Sequence, residues 1–131
     1  MKTLATALLF LLLAGAQAQE QLIQERHPNG KLASTQYIDG DLVRFITYYE
    51  SGRVKEMGGF RDGLRDGVWK QFAENGVVLC EALFTSGLRN GHWTIRNVED
   101  QTVGLLSYAD GDLSRAEQRS AAGDLIAARI Y

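Results

Sequence analysis

The chain has 131 residues, with 14 Gly, 1 Pro and 1 Cys, and 9% of its residues are aromatic. That is the length of one domain, and glycine-rich sequence without proline but with many aromatics fits neither collagen nor a disordered linker. The formal charge of −2 lacks the surplus of Lys and Arg that a nucleic-acid binder or a polybasic membrane module requires.

The N-terminus begins with Met1-Lys2-Thr3 and continues as an almost unbroken run of Leu, Ala and Phe to Ala14, followed by Gly15-Ala16-Gln17-Ala18. A basic start, a short apolar core and an A-x-A ending describe a secretory signal peptide over residues 1–18, cut after Ala18. The run is too short for a spanning helix, which needs about 20 residues, so no transmembrane segment is expected in the mature chain. Residues 19–131 are then the folded domain, and the expected location is the periplasm or the exterior. Cys80 is the single cysteine, so no intrachain disulfide can form, and it does not stand at the new N-terminus to carry a lipid. A lone Cys in an apolar run reads as a small core-type residue.

Beyond residue 28 the chain repeats. Aromatic-x-x-Gly occurs at Tyr37-Ile38-Asp39-Gly40, Phe60-Arg61-Asp62-Gly63, Phe84-Thr85-Ser86-Gly87 and Tyr108-Ala109-Asp110-Gly111, with glycines 23, 24 and 24 residues apart. Tyr131 falls 23 residues after Tyr108 in the same aromatic slot. A second turn precedes each aromatic: Asn29-Gly30, Ser51-Gly52, Asn75-Gly76, Glu99-Asp100 and Ala122-Gly123. From Gly52, Gly76, Asp100 and Gly123 to the aromatic is eight residues, but from Gly30 it is seven. Gly67 and Gly91, each two residues before a tryptophan (Trp69, Trp93), complete the frame.

Self-similarity at this period is the signature of stacked supersecondary units. Each unit reads as a β-hairpin, with Asn-Gly predicting type I′ turns because both central residues of that turn need positive φ. The alternation Val78, Cys80, Ala82, Phe84 places small residues midway along one strand face. The same face of the preceding unit carries Val54, Glu56, Gly58 and Phe60. Residues 22–26 can supply the outer strand of the first hairpin, giving about five units in one all-β antiparallel sheet. Residues 114–122 are ambiguous: Ser114 with Glu117 makes a capping-box pattern for a short helix, while the repeat frame on both sides favours strand.

Residues 29–131 resemble the MORN-repeat family in its bacterial variant. The pattern G-x-x-x-G-x-W-x-x-F/Y-x-x-N-G is cleanest over residues 63–87, where Gly63, Gly67, Trp69, Phe72, Asn75, Gly76, Phe84 and Gly87 match. Elsewhere the pattern departs: Arg96 and Asp100 replace the aromatic and the turn glycine, Arg44 and Arg115 the third glycine, and Ile46 and Glu117 the tryptophan. The resemblance implies an elongated, twisted sheet of stacked hairpins used for binding or scaffolding, with no catalytic centre.

No constellation for catalysis is found. His27 and His92 have no second His or Cys at ligand spacing, no Ser stands in a nucleophile-elbow setting, and the Asp-Gly pairs lack the spacing of a calcium loop. No metal or cofactor is expected, and the chain reads as a non-enzyme. Two surfaces remain. Trp69 and Trp93, with Tyr49 and Phe72, form either the core of a thin sheet or an exposed aromatic stripe. Arg61, Arg65 and Arg89, read as lying in the loops between hairpins, are either solvated charges or contacts for an acidic partner. The function expected is an exported binding module for another protein or an envelope component. An immunity protein and a small envelope hydrolase are the alternatives.

Overall fold

The computed structural model describes residues 22–131. The signal peptide expected over residues 1–18, and the cleavage expected after Ala18, lie outside the described residues. Residues 22–131 form one open antiparallel sheet of eleven strands, with no helix among the described residues. The strands are β1 (Ile23–Arg26), β2 (Leu32–Asp39), β3 (Leu42–Tyr48), β4 (Val54–Arg61), β5 (Leu64–Arg65), β6 (Gly67–Phe72), β7 (Val78–Thr85), β8 (Leu88–Arg96), β9 (Val103–Ala109), β10 (Asp112–Arg119) and β11 (Leu125–Ile130). They pair in chain order as a meander, with β5 beside β4 as the start of the strand that β6 continues. This is the hairpin stack expected from the repeat, with β1 as the outer strand of the first hairpin.

The ten glycines that the frame assigns to turns and bulges (Gly30, Gly40, Gly52, Gly63, Gly67, Gly76, Gly87, Gly91, Gly111 and Gly123) are the ten with positive φ. The remaining described glycines, Gly58, Gly59 and Gly104, lie inside strands.

The two ends of the hairpins use different turns, and the type I′ turns are not at Asn-Gly. They are at the opposite end, at Asp62-Gly63, Ser86-Gly87 and Asp110-Gly111, where both residues have positive φ. At Asn29-Gly30, Ser51-Gly52, Asn75-Gly76 and Ala122-Gly123 only the glycine does. There the loop has three residues, closed by bonds such as Gly76 N–H to Ala73 O at 2.9 Å and Ala73 N–H to Val77 O at 2.8 Å. This is a type I turn followed by a left-handed residue. Asn75 Oδ1 accepts from Val77 N–H at 3.0 Å, which is why Asn precedes glycine here. In the fourth unit the loop is one residue longer, and the left-handed conformation falls on Gln101 (φ 59) rather than on Asp100.

Residues 114–122 are not helical: residues 112–119 are β10. Arg115 and Arg119 both bond Glu117 (Arg115 Nε at 2.7 Å, Arg119 Nη2 at 2.9 Å), a spacing of two that puts all three on one strand face. Ser114 Oγ donates to Ser107 O in β9 at 3.0 Å instead of capping a helix. An isolated nine-residue helix is marginal in water, whereas a strand here gains two ladders.

Successive units are tied at both turn ends. Gly87 N–H donates to Arg65 O at 2.8 Å and Gly111 N–H to Arg89 O at 2.9 Å. At the other end His27 Nε2 donates to Tyr48 O at 2.9 Å, and Tyr49 Oη to Phe72 O at 2.7 Å. The core is small and lies on one face: Trp69, Ala82 and Phe84, flanked by Phe45, Phe60, Cys80 and Trp93.

Candidate binding face

Strand register sorts the side chains onto two faces. Phe45 opposes Gly58, and Trp69 opposes Ala82. Trp93 opposes Leu106, which opposes Ala116. Large and small residues thus alternate from Phe45 to Trp93 along one row of what is here called the aromatic face, and Leu106 then puts two large residues side by side. A second row carries Phe60, Phe84 and Tyr108. Trp69 packs edge-on to Phe60 with ring centroids 5.0 Å apart, and Trp93 sits between Phe84 and Tyr108 at 5.1 Å from each.

Both indoles are anchored identically. Trp69 Nε1 donates to Gly59 O at 3.1 Å and Trp93 Nε1 to Leu83 O at 2.9 Å, each on the residue just before the aromatic. Trp69 is only 3% exposed, so it is core; Trp93 is half-buried. A buried indole without that acceptor would leave its N–H unpaired, which is costly.

Arg65 and Arg89 lie in strands β5 and β8, not in loops, because the chain resumes pairing directly after the two-residue turns. Arg65 Cζ stands 4.2 Å from the Trp69 ring centre and 5.4 Å from that of Phe84. Arg89 Cζ stands 5.6 Å from both Trp93 and Tyr108. Arg61 closes β4 and is bound to Asp41 and, at 3.5 Å, to Asp66. Arg65 and Arg89 therefore roof the aromatic row, while Arg61 staples hairpins together.

Tyr49 and Phe72 stand apart from the tryptophans, at the three-residue-turn end. There they line a polar groove of about 500 Å³ with His27, Thr47, Glu56 and Gln71. They are also not equivalent positions: the turn bonds align Tyr49 with Ala73, and Tyr48 with Phe72.

The first unit is shifted against the frame. Its hairpin lacks the bulge that Gly67 and Gly91 provide, and its loop is Gly40-Asp41, with the glycine first. Ile38, opposite Val43, takes the place of Phe60, and Tyr37 opposes Arg44 on the other face. Phe45, not Ile46, occupies the tryptophan slot, and Ala116, not Glu117, does so in the last full unit. Tyr131 keeps its slot, with Arg129 Cζ 4.9 Å from its ring centre.

The face opposite carries Tyr37, Arg44, Ile46, Met57, Val68 and Lys70 around a groove of about 390 Å³. Its charges are largely paired, Arg44 with Asp39 at 3.0 Å and Lys70 with Glu81 at 3.2 Å. Cys80 is half-buried on the aromatic face, and burial, with the Glu56 charge second, pushes its thiol above the ordinary value. It stays protonated and is a poor nucleophile.

Residues 65–85 match the family described as MORN repeat variant. That segment is similar to a MORN repeat. It contains Arg65, Gly67, Trp69 and Phe84, so the matched stretch spans one indole, its roof and its aromatic neighbour. A search of curated proteins gave no match. In this chain the two ends of the matched segment bond the units before and after it, through Phe72 O and Arg65 O. Phe45 and the paired roofing role of Arg65 and Arg89 went unseen in the sequence. Their signal was present only as periodicity, Arg standing two residues after each turn glycine at Gly63 and Gly87.

Proposed function

We propose that residues 19–131 form an exported, non-catalytic MORN-type module that binds another protein or an envelope component through the aromatic face. The observation that carries this reading is the repeated roof: two exposed arginines one repeat apart, each stacked on two aromatic rings. Such a surface combines apolar area with charge-assisted donors, the chemistry enriched at binding hot spots. Export rests on residues 1–18, and places the partner in the periplasm or outside the cell.

Photocrosslinking from Ile95, exposed on the aromatic face two residues from Trp93, compared with Met57 on the opposite face, tests the binding role in cells. A defined adduct from Ile95 and none from Met57 supports it, and adducts from neither position overturn it. Fusing residues 1–18 to a reporter active only outside the cytoplasm tests export.

A further inference from the structure

Ten arginines are described, and six of them, Arg26, Arg53, Arg65, Arg89, Arg96 and Arg129, are in no ion pair among the described residues; of these only Arg65 and Arg89 rest on two rings. Arg44, Arg61, Arg115 and Arg119 are ion-paired with carboxylates. Arg65 and Arg89 have no carboxylate within ion-pair distance among the described residues, although both are exposed and their backbones are pinned by the next unit's turn glycine. Each guanidinium rests on two aromatic rings. Stacked in this way, a guanidinium keeps its N–H fork at the edge, preorganised for a carboxylate.

Their separation is set by the fold. Arg65 and Arg89 hold equivalent positions on strands two apart, which is about 9.5 Å across a sheet. Same-side residues of an extended β-strand repeat at about 6.8 Å and then about 13.6 Å, and neither matches. A polyproline II segment has three residues per turn at about 3.1 Å each, so its same-side residues recur every ~9.3 Å.

We propose that the aromatic face binds an acidic peptide in polyproline II conformation, with carboxylates at positions i and i+3 seated on Arg65 and Arg89. This rests on the binding role proposed above and adds the partner's chemistry. Trp93 and Tyr108, half-buried beneath Arg89, supply ring surface to the peptide residues beside the second carboxylate.

The test titrates the purified full chain into labelled proline-rich octapeptides, read by fluorescence anisotropy. One peptide carries two glutamates three residues apart, one carries them two apart, and one carries two glutamines three apart. The first is expected to bind at least tenfold more tightly than the others. Arg65→Gln and Arg89→Gln should each weaken it about tenfold, and the double variant should reduce it to the glutamine-peptide level. Arg44→Gln, on the opposite face, should change nothing. Because a lost roof could unfold the sheet, Arg65→Lys and Arg89→Lys are run alongside with thermal melts; they keep the charge but lose the fork, and an intermediate affinity is expected. Equal affinity for both glutamate spacings, no binding, or undiminished binding by the double variant overturns the proposal. So does arginine-dependent binding to anionic phospholipid vesicles without peptide binding. A crosslinked partner lacking an acidic proline-rich segment also overturns it while leaving the binding role intact, whereas absence of any adduct removes the role itself.

Discussion

The indole of Trp69 lies directly on the backbone of Gly58: a Cβ added to Gly58 would stand 2.1 Å from Trp69 Cδ2. No other described glycine is covered so closely. Gly58 sits in β4 with φ outside the left-handed region, so its requirement is space alone. The contact explains how a single sheet buries a tryptophan to 3% exposure. The ring lies in a notch with Phe60 edge-on and Arg65 above.

Gly58→Ala should therefore destabilise the fold by about 1–3 kcal/mol, the usual cost of overpacking. Gly104→Ala is the control, since its added Cβ would meet nothing nearer than 3.7 Å. Urea unfolding of both variants measures the difference. Equal midpoints for the two would show that the indole moves aside at no cost.

The two tryptophans should not be equivalent. Trp69→Ala removes a buried ring and its bond to Gly59 O, and should cost roughly 3–5 kcal/mol. Trp93 covers no glycine as Trp69 covers Gly58, and it is half-buried, so Trp93→Ala should cost about 2–3 kcal/mol. Denaturant midpoints of the two variants, measured together, check the order.

Much of this arrangement was legible from spacing. The ten turn and bulge glycines, the meander of hairpins and the Trp69–Trp93 period all follow from a frame visible in one sequence. What misled was the count within the first unit. A bulge adds residues without adding sheet length, so a unit without one shifts its alignment and sends neighbouring side chains to opposite faces. On that count Tyr37 reads as part of the aromatic row and Phe45 does not, the reverse of what the register gives. Asn-Gly serves a three-residue loop as readily as a two-residue one, and only the closing bonds distinguish them. Arg65 and Arg89 stand out by spacing, yet the ring each one meets on the next strand leaves no mark on local sequence.

Gln101 offers a test of the repeat frame. It holds φ 59 at the left-handed position that glycine fills in the three-residue loops of the other units. Left-handed backbone costs a side-chain-bearing residue about 1 kcal/mol relative to glycine. Gln101→Gly is expected to raise stability by about 0.5–1 kcal/mol, and Gly76→Ala to lower it by a similar amount. Thermal melts of both variants should move in opposite directions. A Gln101→Gly protein that is less stable would show that unfolded-state entropy outweighs the relieved strain.

Glu117 gives the chain a defined acid sensitivity. Hydrogen bonds from Arg115 first, then Arg119, hold its carboxyl below the ordinary value of 4.5. A carboxylate depressed in the folded state stabilises that state fully above its unfolded pKa. The contribution is lost as pH falls through the lower folded value. Glu117→Gln removes the charge while keeping the shape, and leaves Arg115 and Arg119 as uncompensated neighbours on β10. The variant should therefore unfold at lower urea than the parent at pH 7. The gap should narrow as pH falls below 4.5, where the parent's own carboxyl takes up its proton. Urea midpoints at pH 7, 5, 4 and 3 in low salt make the comparison. A gap independent of pH would assign the effect to packing of the side chain under its two arginines rather than to its charge.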